Sequence, residues 1–222
     1  MPQRQISAGT ISEIVVFVTA GGTQFVIMNR KPKCIIVTGR PGSGKNTLAN
    51  KLARALWMPL VSRDEIKEGY VNTFCVKHDE LPPDANLRAT ELFFGIVNQY
   101  LAGNISVVIE AAFQHHVWEP RMPKILDLAS PFIILCSIDD AVAARRYLER
   151  GLADPNREYY HGDNMVVYYR NTGEILPYAN YTPPKFDVPT IEASTDGEYV
   201  PSIDAIVKQI RSTEAHFPKE VN

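Results

Sequence analysis

A chain of 222 residues that is 45% hydrophobic can bury a full core, and its length favours one domain with room for an inserted lid. A formal charge of −2 excludes a field that would draw the whole molecule onto nucleic acid or a membrane, so any polynucleotide contact has to be local. Three cysteines, Cys34, Cys75 and Cys136, are an odd number, two of them in apolar runs; this argues against a disulfide framework and for a reducing cytoplasm. No apolar run reaches the roughly 18 residues of a membrane span, and no signal peptide is visible.

Residues 11–28 read as a hairpin, with Ile14–Val18 and Phe25–Met28 flanking Ala20-Gly21-Gly22-Thr23. They precede a stretch that reads as the ordinary start of a domain, Met28 to Lys33. The first 27 residues are therefore either an added edge hairpin or an upstream translation artefact.

The stretch that organises the chain follows. An apolar, β-branched run, Cys34-Ile35-Ile36-Val37-Thr38, feeds a loop with Gly39, Gly42 and Gly44, which opens into Leu48, Leu52 and Leu56 at helical spacing. Strand, loop and helix in that order are the setting of the phosphate-binding P-loop, here Gly39-Arg40-Pro41-Gly42-Ser43-Gly44-Lys45-Asn46-Thr47. The glycines let consecutive backbone N–H groups converge, the helix N-terminus adds about half a positive charge, and Lys45 brings a mobile ammonium. Such a nest suits a triphosphate. One position departs from the pattern: where a hydroxyl ordinarily meets Mg²⁺ stands Asn46, whose amide oxygen can also ligate a hard cation.

Beyond the loop, Pro59-Leu60-Val61 is a short second strand that delivers Arg63-Asp64-Glu65 to its carboxyl end, where ligands bind in open parallel sheets. Two helical stretches, Glu65 to Phe74 and Asp84 to Leu101, are divided by Pro82-Pro83. Ser106 to Glu110 is a third strand tipped by a carboxylate, and a weak helix over 122–129 leads to a fourth, Phe132 to Cys136. Asp139 or Asp140 caps a helix on which Arg146 and Arg150, four apart, share a face. From Gly151 to Lys185 the composition turns polar and aromatic and reads as a mobile insertion. Val188 to Glu192 suits a fifth strand with an irregular start at Pro189, and Ile203, Ile206, Val207 and Ile210 make a closing amphipathic helix. Strands alternating with helices predict an α/β, doubly wound parallel sheet.

These motifs together, the loop from Gly39 to Thr47, Arg63-Asp64-Glu65, Glu110 and Arg146-x-x-x-Arg150, resemble the P-loop kinases of the AAA_33 or zeta-toxin-like group. That group includes antibiotic phosphotransferases and polynucleotide 5′-kinase domains. The resemblance runs from about Lys33 to Arg211 and implies a P-loop NTPase fold: a five-stranded parallel sheet flanked by helices, a helical acceptor-side segment, a lid over about 151–185, and a possible extra N-terminal hairpin. Residues 1–30 would be an extension, 31–215 the kinase domain and 216–222 a tail.

The resemblance implies ATP and Mg²⁺ as cofactors and a hydroxyl-bearing small molecule as acceptor. Asp64 takes the place of the general base; as the start of a helical run it equally suits an N-cap. Arg63 and Lys67 would bind an anionic substrate group or hold Asp64 ionised. Glu110 would hold a magnesium-bound water or a substrate hydroxyl. Arg146 and Arg150 resemble lid arginines that close on the transferring phosphoryl group, with Arg157 a third candidate. Tyr159 to Asp163 would line the acceptor pocket. His115 and His116 have no third ligand at metal spacing, and Trp118 is expected to pack behind the acceptor site. The alternatives are a polynucleotide 5′-hydroxyl kinase, disfavoured by the charge balance, and a nucleotide-binding regulatory module.

Overall fold

The computed structural model describes residues 30–162, 164–176 and 180–213, together with the backbone of two strands nearer the start of the chain. Those strands, β1 (Glu13–Thr19) and β2 (Gly22–Met28), pair antiparallel from Glu13 opposite Met28 to Thr19 opposite Gly22. The expected hairpin is present, with Gly22 and Thr23 inside its second strand. It is a two-stranded sheet of its own and does not extend the edge of the main sheet.

The main sheet has five strands: β3 (Lys33–Thr38), β4 (Leu60–Ser62), β5 (Val107–Ala111), β6 (Ser130–Ser137) and β7 (Thr190–Ser194). Their order is β4-β5-β3-β6-β7 and every pairing is parallel. Because both faces are covered, β3 reads as a continuous apolar run, and alternate residues serve different cores. Cys34 and Ile36 pack with Phe93, Val97, Trp118 and Ile125 on one face. Ile35 and Val37 pack with Leu48, Leu52, Ile206 and Ile210 on the other.

The first face is covered by α3 (Ala85–Ala102), α4 (His115–Trp118) and α5 (Met122–Leu128), the second by α1 (Lys45–Leu56) and α9 (Ile203–Ser212). Trp118 is wholly buried among Phe93, Phe94 and Phe113. The chain leaves β3 in one direction toward β4 and β5 and returns to its other side as β6 and β7. A crevice therefore opens at the carboxyl end of β3, where the glycine loop lies.

Several boundaries move from expectation, each for a physical reason. β4 ends on Ser62, and α2 (Arg63–Phe74) begins directly after it, so Ser62 is the N-cap and Asp64 lies inside the first turn. β7 starts after Pro189, which has no N–H to give a ladder, although its carbonyl accepts from Ile133 N at 2.9 Å. The largest difference is in the lid. Sequence polarity suggests a mobile insertion after Gly151, but α6 (Asp140–Ala153) runs through that glycine and is followed by α7 (Asn156–His161) and α8 (Asn164–Thr172). Met165 and Val166 of α8 bury against Ala144 and Leu148 of α6, and Tyr159 and Tyr160 of α7 pack against Val71, Leu81 and Ala85. Asp139 caps α6, accepting from Ala141 N and Val142 N. Among the described residues, no helix is long and apolar enough to cross a membrane.

Candidate active site

The loop between β3 and α1 owes its path to backbone that few residues adopt. Gly42 has φ 77°, and a β-carbon there would stand 2.2 Å from the Ala143 carbonyl oxygen of α6. Only glycine lets the loop and α6 touch. Thr195, just past β7, donates its hydroxyl to the Ser43 carbonyl at 2.8 Å, and Arg40 pairs with Asp140 at the start of α6. Ser43 Oγ is buried with no hydrogen-bond partner among the described residues.

Lys45 opens α1 and is 8% exposed. Its Nζ stands 3.7 Å from Glu110 Oε1, and Ser62 Oγ donates to Glu110 Oε2 at 2.8 Å. Strand register causes this meeting, since Ser62 and Val37 are the two lateral neighbours of Glu110. Burial pushes the Glu110 carboxyl up, while Lys45 draws it back and Asp64 adds to the rise. Ser62, its hydroxyl spent on Glu110, makes no side-chain cap to α2.

Asp64 projects from the first turn of α2 beside Arg63, whose Nη1 is 3.3 Å from Oδ1. Burial raises its carboxyl, but Lys45 and Arg63 outweigh burial and hold it below the ordinary range, so it is ionised near neutrality. Lys67, one turn on, is 7% exposed; burial first, then Arg63, lowers its ammonium to about 8. His161, closing α7, has Nε2 3.0 Å from Glu68 Oε1, and burial followed by Arg157 brings the imidazole down to about 4.

Among the described residues, two cavities flank the loop. Lys45, Arg63, Asp64, Lys67, Arg157 and His161 line the one on the α2 and α7 side. Thr47, Lys51, Arg146, Thr195 and Tyr199 line the other, together with Gly42 and Gly44. Arg150 reaches both, so it stands at the junction. The two arginines of α6 thus diverge. Arg146 donates to the Thr195 carbonyl at 2.9 Å and to Asp196 Oδ1 at 3.0 Å, on the side away from Asp64.

Asn46 is exposed and its Oδ1 accepts from Asn50 Nδ2 at 2.9 Å, which turns the amide along α1. Mg²⁺ needs few protein oxygens when phosphates and water complete its shell. The second lone pair of the Asn46 amide is a donor of that kind, whereas both Glu110 oxygens already have partners. The donor set fits a magnesium ion bound mainly through its phosphates. His115 instead packs its ring on Phe186 and accepts from Lys185 N at 3.2 Å; no metal-ligating cluster occurs among the described residues.

Sequence reasoning missed His78, Thr195 and Tyr147. His78 lies in a short 3-10 turn (His78–Glu80) and reaches the site because Gly162, φ 62°, has no β-carbon; one would stand 2.1 Å from His78 Nδ1. Nothing local in the sequence marks such a meeting of segments more than eighty residues apart.

A parallel sheet in this order, with the glycine loop at its switch point and a lysine at the first position of α1, defines the P-loop kinase-like fold. The AAA_33 profile, an AAA domain, matches residues 34–164, more than half of the chain, and the protein belongs to that family. Among solved structures, it is similar to a presumed kinase from Chloroflexus aurantiacus, at 23% identity over 84% of this chain and all of that one, TM-score 0.68. It is also similar to the Mycobacterium tuberculosis APS kinase CysC, seen with AMPPNP and APS, at 16% identity over 82% and 96% of the two chains, TM-score 0.52. A chain of the Pnkp1/Rnl/Hen1 RNA repair complex matches at 18% identity over 72% of this chain and 51% of its own, TM-score 0.50. No curated protein sequence matches.

Proposed function

We propose that the protein is an ATP-dependent kinase that transfers the γ-phosphate to a hydroxyl of a small molecule. The observation that carries this reading is the convergence of Lys45 and the ionised Asp64 on one cavity at the carboxyl ends of the strands. The loop amides and Lys45 bind the triphosphate. The cavity containing Thr47, Lys51, Arg146 and Tyr199 receives the nucleoside, and the opposite cavity receives the acceptor. Asn46 would help hold Mg²⁺, which when bound neutralises charge on the β and γ phosphates.

Asp64 orients the acceptor hydroxyl and takes its proton as the oxygen bonds to the γ-phosphorus; the bond from that phosphorus to the β,γ-bridging oxygen breaks and ADP leaves. Glu110 keeps Lys45 in place through its side-chain contact. Arg150, at the junction of the cavities, neutralises the group in transit, and the lid helices exclude water.

Asp64→Asn tests this reading. ATP affinity and melting temperature should stay close to those of the parent, because Asp64 lies on the acceptor side and is not the N-cap, while acceptor phosphorylation should fall by roughly 10²–10⁴-fold. Unchanged turnover with a genuine acceptor would remove Asp64 as the base. Nucleotide binding without turnover of any hydroxyl compound would favour a regulatory module.

A further inference from the structure

The acceptor cavity is cationic in a protein whose formal charge is −2. Lys45, Arg63, Lys67, Arg150 and Arg157 line it against one carboxylate, Asp64. A nucleoside triphosphate accounts for Lys45 and Arg150, which border the loop. It does not account for Lys67. Lys67 as a residue is 7% exposed, its side chain lines the cavity one helical turn beyond Asp64, and among the described residues it has neither an ion pair nor a hydrogen bond. Its nearest charges are the cation Arg63 and the carboxylate Asp64, and the latter is already paired with Arg63.

Two residues lining the same cavity each carry a buried polar atom with no hydrogen-bond partner among the described residues, Arg63 Nε and His78 Nδ1. Cations and donors held at a cavity wall without a protein partner are costly to keep, and a bound anion supplies the partner. Asp64 and Lys67 stand three apart on α2 and share a face, with β-carbons roughly 5–6 Å apart.

Resting on the kinase reading above, we propose that the acceptor is a small hydroxyl compound that already carries a phosphate group, seated by Lys67, Arg63 and His78 about one helical turn from the hydroxyl held at Asp64. A dianion fits better than a carboxylate because it offsets more of the surrounding positive charge, and Arg63 Nε, left over when Nη1 bonds Asp64 and Nη2 bonds Asn86, can donate to it. The spacing puts the reacting hydroxyl within a few bonds of the phosphate. The product carries two phosphoryl groups; the new oxygen–phosphorus bond replaces the one broken in ATP, and the hydroxyl proton passes through Asp64 to water.

The test has a binding arm and a turnover arm. Protein loaded with Mg²⁺ and a non-hydrolysable ATP analogue, which blocks the loop, is titrated with inorganic phosphate by calorimetry. Saturable binding that falls tenfold or more in Lys67→Met and is kept in Lys67→Arg supports the proposal; equal binding in the parent and Lys67→Met, or none in the parent, overturns it. Melting temperature should hold or rise in Lys67→Met, since a buried charge is removed; if that variant does not fold, Lys67→Gln takes its place. For turnover, glycerol is compared with glycerol 3-phosphate, ribose with ribose 5-phosphate, and both with a 5′-hydroxyl oligonucleotide. A preference for the phosphorylated member that disappears in Lys67→Met supports the proposal. Equal or better use of the neutral member overturns it and leaves the kinase reading intact, and preferential use of the oligonucleotide overturns the small-molecule form. Lys67-dependent phosphate binding with no phosphorylation of any hydroxyl compound sinks the kinase reading while the anion seat stands.

Discussion

At the residue scale, the site depends on positions where one atom more or less decides the geometry. Gly42 touches the Ala143 carbonyl and has positive φ, so Gly42→Ala must displace backbone, not a flexible side chain. Its melting temperature should drop by several degrees and its ATP affinity should collapse; calorimetry and thermal denaturation on the same preparation check both, and normal binding would refute this account of the loop. Asn46 allows a finer test, because its amide oxygen is shared with Asn50. Asn46→Ser supplies the hydroxyl usual at that place, and Asn50→Ala releases the amide. Both should lower the Mg²⁺ concentration for half-maximal turnover. A rise in either would show that the Asn46–Asn50 bond is tuned to the metal.

At the element scale, α7 joins the lid to α2. Its last residue, His161, faces Glu68, whose own carboxyl is pushed up by burial and by Asp64, so it is a weak counter-charge. Burial, then Arg157, leaves the imidazole titrating at about 4 in the folded protein, against 6.5 in its absence. Between these values the unfolded chain binds the extra proton. Stability from this residue is therefore complete above pH 6.5 and is lost as the pH falls toward 4, by at most about 3 kcal/mol. Chemical denaturation from pH 7 to 4 should show that fall in the parent and a shallower one in His161→Gln; identical slopes would mean the histidine charges freely.

At the scale of the whole molecule, the five-stranded sheet is complete without the hairpin, whose strands pair only with each other. A chain lacking residues 1–29 should keep the melting temperature and turnover of the full chain. A large loss in either would show that the hairpin packs on the kinase fold through side chains.

The sequence by itself determined the parts whose cause is local. The alternation of strands and helices, the glycine loop and its lysine, the Asp64 segment and the closing helix all follow from periodicity and backbone chemistry within a few residues, which is why the P-loop fold and its family were legible. Ranges erred by one or two residues where a ladder or a cap decided the end, as at Ser62 and Pro189. Tertiary structure alone decided the rest. The lid is helical because Met165, Val166, Tyr159 and Tyr160 find apolar partners on α6, α2 and the turn before α3. Arg146 and Arg150, equivalent by spacing, part because α6 passes the loop between the two cavities. His78 enters the site across Gly162, and Lys67 is enclosed at the cavity wall beside Arg63 and Asp64, through contacts between segments distant in the chain. Spacing records which face of a helix a residue occupies; what that face meets is set by packing.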